Sequence, residues 1–280
     1  MPELPEAETI RRQLETEISG ATIRRVGVHI SRAAREQGSL KELADLTAGR
    51  KIVGVGRRGK AVLLYLDSKR PAALIIRLGM TGLIRVLSAK EPLDKHTSAT
   101  VELSDRRQVR FIDQRQFGSI TARPGHDVDA MPEFRDYGPD PFSDEFTPEY
   151  LKEAFARRGI GVEVALMNQN IVAGIGKIYS DEILFRAGIR PTKAANKLTG
   201  PMRRRLWEAT REVLQEAISR RGSSAMDETY RDVYGMAGEF QARLMVYQRS
   251  GEPCLACGTP IRRTRMTGGR AMHWCPKCQK

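Results

Sequence analysis

The stretch Cys254-Leu255-Ala256-Cys257, followed after seventeen residues by Cys275-Pro276-Lys277-Cys278, fixes what the end of this chain must be. Two Cys-x2-Cys knuckles at this separation let four thiolates reach a single tetrahedral zinc ion. Four protein ligands leave no open position for water, so one zinc here is structural and folds its module without catalysing. Between the knuckles, Arg262-Arg263-Thr264-Arg265 and Gly268-Gly269-Arg270 read as a β-hairpin with Arg270 near its tip. An arginine-rich hairpin on a zinc ribbon suits nucleic acid. All four cysteines lie in the last 27 residues, which points to a reducing compartment and away from a disulfide framework.

Upstream of this ribbon the apolar period is helical. Pro148 and Glu149 sit in the first turn of a helix running to about Arg158, with Thr147 as its cap. A second helix spans about 162–169 and a third runs from Lys177 to Ala187, closed by Gly188 and kept from resuming by Pro191. A longer helix covers about 199–220, with Met202, Leu206, Ala209, Val213 and Ala217 on one stripe and Gly222 beyond its end. Gly174-Ile175-Gly176 fails as a dinucleotide fingerprint, because Tyr179 stands at the third glycine position. It fits equally a purely structural turn and a turn that bares the amides of the 177–187 helix to a phosphate.

Residues 124–148 hold Pro124, Pro132, Pro139, Pro141 and Pro148 among many acids, a composition that predicts a linker between domains. The half before it is mainly strands. Segments rich in Val, Ile and Leu recur at 21–30, 51–66, 73–87, 98–104 and 107–123, with turn residues such as Gly59, Gly79, Gly82 and Asp105 between them. One helix is clear at 6–18, where Ile10, Leu14 and Ile18 recur four apart.

The 280 residues carry a formal charge of +13, which favours a polyanionic partner, nucleic acid before membrane surface. Basic residues cluster at Arg57, Arg58 and Lys60, at Arg203–Arg205, and along the terminal hairpin, while 127–149 is acidic. No apolar run approaches the roughly 18 residues a membrane span needs. Charges occupy the place where a signal peptide would be apolar, so the chain reads as cytoplasmic. The four histidines show no metal-ligand spacing.

At the other end stands Met1-Pro2-Glu3-Leu4-Pro5-Glu6. Removal of Met1 leaves Pro2 with a free secondary amine. An α-amino group titrates near pH 8, against about 10.4 for lysine, so far more of it is neutral at working pH. A neutral amine can attack C1 of a sugar and form an iminium, with Glu3 and Glu6 nearby to move protons. Met-Pro is also a common protein start, and Lys60, Met80, Arg115 and Phe117 each have plain readings as surface or core. The rest of the chain decides.

Taken together, the pieces resemble the formamidopyrimidine-DNA glycosylase and endonuclease VIII family, and its formamidopyrimidine branch most closely. The resemblance spans the whole chain. It rests on Pro2–Glu6, Arg58-Gly59-Lys60, Leu78-Gly79-Met80-Thr81-Gly82, Asp113-Gln114-Arg115-Gln116-Phe117-Gly118, Leu166-Met167, Gly174-Ile175-Gly176, Ile178-Tyr179, Asp181-Glu182 and the paired cysteines.

It implies an α+β protein with an N-terminal β-sandwich with flanking helices (1–130), a linker (131–146), a helix-two-turn-helix domain (147–238) and a zinc finger (239–280). Pro2 would be the nucleophile, Glu3 the general acid/base and Glu6 a support, with Lys60 on the backbone beside the lesion. Met80, Arg115 and Phe117 would fill the hole left by a flipped base, since an enzyme acting on a base in duplex DNA must extrude it. Lys177 and Arg270 would hold phosphates. The implied partner is double-stranded DNA with damaged bases or abasic sites, bound by a monomeric, bacterial-type, nucleoid-associated enzyme.

The implied activity is excision of oxidised purines (8-oxoguanine, formamidopyrimidines) with lyase cleavage. The alternatives are a preference for oxidised pyrimidines, or a damaged-DNA-binding paralogue with weak turnover. Departures from the family pattern cluster on the lesion side. Lys177 replaces an asparagine, Glu163 a lysine and Asn168 an aspartate, while Arg77 and Ser98 replace histidines.

Overall fold

The structure, a computed structural model, describes residues 2–67, 70–224, 230–265 and 271–280. The chain divides into two compact units, Met1–Asp136 with Ile218–Gln241, and Tyr137–Ala217 with Ala242–Lys280. Among the described residues no helix is long and apolar enough to cross a membrane.

The first unit opens with α1 (Leu4–Ile18), which begins two residues earlier than its apolar spacing predicts. Two antiparallel four-stranded sheets follow. One has the order β1 (Ile23–Val28), β6 (Thr97–Leu103), β7 (Arg107–Asp113), β5 (Gly82–Ser88); the other runs β2 (Ile52–Arg58), β3 (Ala61–Leu66), β4 (Ala72–Arg77), β8 (Ser119–Pro124). Ile23, Val101, Val109 and Phe111 of the first share a buried cluster with Val62, Leu64, Leu74 and Ile76 of the second, so the unit is a β-sandwich. α1 packs on β2 and β3. Strands β3 and β4 are buried at successive positions, hence on both faces, which is why they read as nearly continuous apolar runs.

A further helix, α2 (Leu40–Thr47), was not expected from the apolar pattern. Ser39 caps it, accepting the Glu42 amide at 3.1 Å. The predicted linker also departs from its composition. It holds no regular element, yet Met131, Phe134 and Phe146 are buried, so this segment packs down rather than spanning free. Residues Ile218–Gln241 cluster with the first unit, whereas the sequence reading places 218–238 with the helical domain and 239–241 with the zinc finger.

The second unit contains α3 (Pro148–Phe155), α4 (Val162–Met167), α5 (Lys177–Ala187), most of α6 (Gly200–Ser219) and a hairpin of β9 (Arg262–Arg265) and β10 (Ala271–Trp274). Thr147 caps α3 as expected, accepting the Tyr150 amide at 3.0 Å. α5 is buried along almost its whole length, including Ser180, Asp181 and Glu182. Polar groups so placed must find partners inside the protein.

Candidate active site and metal centre

Pro2 directly precedes Glu3, the extended N-cap of α1, and both are buried. The local sequence favours this start. Pro5 lies in the first helical turn, where a missing N–H costs little, and Glu6 sets a carboxylate at the positive helix end. Glu6 Oε2 accepts the Glu3 amide at 2.8 Å in a capping box, and its Oε1 accepts the Ser223 amide at 2.7 Å. One buried carboxylate thus ties the residue beside the candidate nucleophile to a segment 217 positions away.

That approach depends on Gly222. Its φ is +76°, and a Cβ there would lie 2.5 Å from Glu6 Oε1. Gln13 adds a second tie: its Nε2 donates to Asp232 Oδ2 at 2.8 Å and its Oε1 accepts the Val233 amide at 2.9 Å. Buried Tyr230 belongs to the same segment. Burial pushes its phenol well above the ordinary value, helped by the charges of Glu6 and Asp232, so it stays protonated.

Lys60 occupies the two-residue turn between β2 and β3, after Arg58 pairs with Ala61. The basic cluster read around it is largely engaged internally. Arg57 donates to Glu8 Oε2 at 3.1 Å and Arg58 to Asp129 Oδ1 at 2.7 Å. Burial alone would raise the Glu8 carboxyl, but Arg11, Arg12 and Arg57 hold it below its usual value.

Met80 sits in the β4–β5 turn, and Arg115 and Phe117 in the loop after β7. Asp113, fully buried, pins these two segments together. It accepts the Thr81 hydroxyl at 2.6 Å and the Gly118 amide at 2.7 Å, and Thr81 Oγ1 takes the Arg115 amide at 3.1 Å. The segments meet so closely at Gly79 that a Cβ would lie 2.5 Å from the Gly118 nitrogen. The Arg115 guanidinium stands 4.9 Å from the centre of the Phe117 ring, whose side of the loop is exposed. From the other side Arg35 donates to the carbonyls of Phe117 and Gly118 at 2.8 and 2.6 Å. Thr81 and Asp113 lie inside the motifs quoted above, but nothing in the sequence singled out Arg35, Gln13 or Ser223.

In the second unit, Gln169 shapes the Gly174-Ile175-Gly176 turn. It accepts the Gly174 amide at 2.8 Å and donates to the Ile175 carbonyl at 2.9 Å. Lys177 begins α5, where its charge opposes the helix dipole. The sequence reading offsets that cost with a DNA phosphate, but the structure offsets it internally. Lys177 Nζ donates to Glu163 Oε1 at 2.6 Å and also to Asp181 Oδ1, both carboxylates being wholly buried.

Burial and then the Asp181 charge push Glu163 up to about 8, against the pull of Lys177. Burial likewise pushes Asp181 up to about 7. Asp181 Oδ2 accepts the His273 amide at 3.2 Å and lies 3.0 Å from its Nδ1. Burial, then the charges of Lys177 and Arg263, hold that imidazole down at about 4, so it is neutral. Glu182 accepts the amides of Met245, Val246 and Tyr247 at 2.9–3.0 Å.

The four cysteine sulfurs all lie within 4.8 Å of one another, with Cys257–Cys275 at 3.5 Å and Cys254–Cys278 at 4.0 Å. A tetrahedral zinc with Zn–S of about 2.3 Å needs sulfurs about 3.8 Å apart, so the residues fit one zinc ion. Gln279 supports the second knuckle, accepting the Cys275 amide at 2.8 Å and donating to the Ile189 carbonyl at 3.0 Å. Arg270 lies outside the described residues. Cys275→Ser is expected to lose about one equivalent of zinc by metal analysis and to weaken DNA binding, leaving the β-sandwich folded by circular dichroism. Full zinc retention would show that another ligand set holds the metal.

Residues 1–120 match the family described as the formamidopyrimidine-DNA glycosylase N-terminal domain, 137–229 its H2TH domain, and 251–280 a zinc finger found in FPG and IleRS. The chain is 41% identical to the formamidopyrimidine-DNA glycosylase of Bacillus licheniformis over 281 residues, covering 100% of both. It is similar to the crystal structure of the Fpg protein of Thermus thermophilus, with a TM-score of 0.87 at 38% identity, covering 99% of this chain and 98% of that one. It also resembles Lactococcus lactis Fpg in complex with DNA containing an abasic site, with a TM-score of 0.89 at 32% identity, covering 99% of each.

Proposed function

The chain belongs to the formamidopyrimidine-DNA glycosylase family, and on that premise we propose that it excises oxidised purines from duplex DNA through a Schiff base on Pro2. It is a DNA glycosylase of base-excision repair with abasic-site lyase activity, a structural zinc and damaged double-stranded DNA as partner. Removal of Met1 exposes the Pro2 amine, which attacks C1′ of the damaged nucleotide. Glu3 moves the protons that let the base leave C1′ and then let the C1′–O4′ bond open, the ring oxygen taking up a proton as the iminium forms. The iminium makes the neighbouring sugar carbon acidic, and elimination then cleaves the strand. Glu6 holds the start of α1 through the Glu3 and Ser223 amides, and Lys60 contacts the backbone beside the lesion.

Met80, Arg115 and Phe117 occupy the vacated stack, with Arg115 facing the orphaned base. The pinning of their two segments through Asp113 supports this assignment, because a wedge must be stiff to keep the duplex from collapsing. A nucleoid-associated, cytoplasmic setting follows from the substrate.

The observation that carries the proposal is the Pro2–Glu3 pair, set at the buried start of α1. Borohydride capture compared on duplexes carrying 8-oxoguanine, formamidopyrimidine, an oxidised pyrimidine and an abasic site tests it. The expected result is capture on both purine lesions well ahead of the pyrimidine. Equal or faster capture on the pyrimidine would reassign the lesion class, and no capture on any duplex would make the chain a binder.

A further inference from the structure

Within the second unit, one cation and two carboxylates meet where three elements converge. Glu163 lies in the first turn of α4, Lys177 begins α5, and Asp181 stands one turn further along α5. Both carboxylates are 0% exposed and the lysine side chain is 12% exposed. Glu163 Oε2 is buried without a hydrogen bond to a donor, and the two acids interact with each other as well as with the lysine. Asp181 turns its second oxygen to the amide of His273 in β10, two residues before Cys275. The cluster therefore reaches from α4 through α5 to the second zinc knuckle.

An ammonium held by two buried carboxylates has little charge left to offer outward. Freeing it would strand both acids in the protein interior, which is far costlier than the gain from one exposed phosphate contact. We propose that Glu163, Lys177 and Asp181 form an internal ionic clamp that keeps Lys177 off the DNA backbone and positions β10 of the zinc hairpin against α5. The raised Glu163 and Asp181 carboxyls agree with this, since a retained proton brings two acids and one base closer to neutrality. Lys177 is then a positioning residue. Any phosphate at the Gly174-Ile175-Gly176 turn is met by backbone amides.

The proposal rests on the glycosylase reading only for its DNA-binding half. Lys177→Asn, Glu163→Gln and the double variant are compared with wild type as full-length, zinc-loaded protein. Three quantities are measured: the thermal midpoint, the rate of zinc transfer to a chelating dye, and the salt slope of binding to a duplex with a tetrahydrofuran abasic analogue. Lys177→Asn is expected to lower the midpoint by about 5 °C or more and to speed zinc transfer several-fold. The double variant should recover part of both losses, because Glu163→Gln removes the buried acid that would otherwise be left without its lysine partner. The salt slope should match wild type throughout.

A slope that falls by about 0.9 in Lys177→Asn, the value of one phosphate contact, would overturn the proposal. So would an unchanged midpoint with unchanged zinc transfer. If Lys177→Asn cannot be purified folded, the double variant supplies the slope. Failure of wild type to bind the duplex would count against the glycosylase reading, while the two stability measurements would still decide the clamp.

Discussion

Protein that keeps Met1 will not be captured by borohydride on DNA containing an abasic site, whereas protein beginning at Pro2 will be. The difference is expected to be at least about 10³-fold, the scale on which losing a covalent nucleophile acts. With Met1 attached, the proline nitrogen belongs to an amide and its lone pair is delocalised into the carbonyl. With Met1 removed, the same nitrogen is a secondary amine held immediately before the α1 cap. Pro2→Gly should be captured poorly, since a primary amine remains but the ring that orients it is gone. Mass spectrometry fixes the N-terminus of each preparation before the assay. Efficient capture of protein whose Met1 is fully retained would remove Pro2 from the mechanism.

Glu3→Gln should slow base release by about 10²–10⁴-fold, the usual contribution of a positioned acid/base group, while DNA binding survives. Glutamine keeps the shape and an acceptor oxygen for the helix cap, so α1 should start where it does now. What it loses is the ability to give and take a proton. Single-turnover release of 8-oxoguanine, read beside affinity for an uncleavable abasic analogue, separates the two effects. Release within threefold of wild type would reject the assignment of Glu3.

The parts of the molecule that the sequence made legible are those written in short-range patterns. Ile10, Leu14 and Ile18 mark α1 because helical neighbours recur every three or four positions. The zinc ligands are visible because each knuckle closes over two intervening residues. α2 escaped because it is one short helix with only Leu43 and Thr47 buried, although Ser39 with Glu42 three residues on is a readable cap. The 131–146 segment misled because its prolines and acids do forbid regular structure, but Met131, Phe134 and Phe146 still find cover.

Pairing across the chain leaves no local trace. Lys177 reads on its own as the first residue after the Gly174-Ile175-Gly176 turn, and only the fold reveals Glu163 as its partner. The Asp113–Thr81 contact and the Arg35 bonds to the Phe117 loop join residues 32 and 82–83 positions apart. No periodicity records such meetings.

The tie between Glu6 and Ser223 also sets a timetable for synthesis. All eight strands of the first unit have been made once Pro124 is added, but that unit's core and the hold on Glu6 stay incomplete until Gly222–Gln241 emerge. At about 5–20 residues per second, that interval lasts several seconds or more. During it the nascent chain carries the amine without the Ser223 amide on Glu6 or the Gln13 hold on Asp232 and Val233. A message cut short before codon 218 would therefore yield a chain without the Ser223 amide on Glu6 and without the Asp232 and Val233 partners of Gln13.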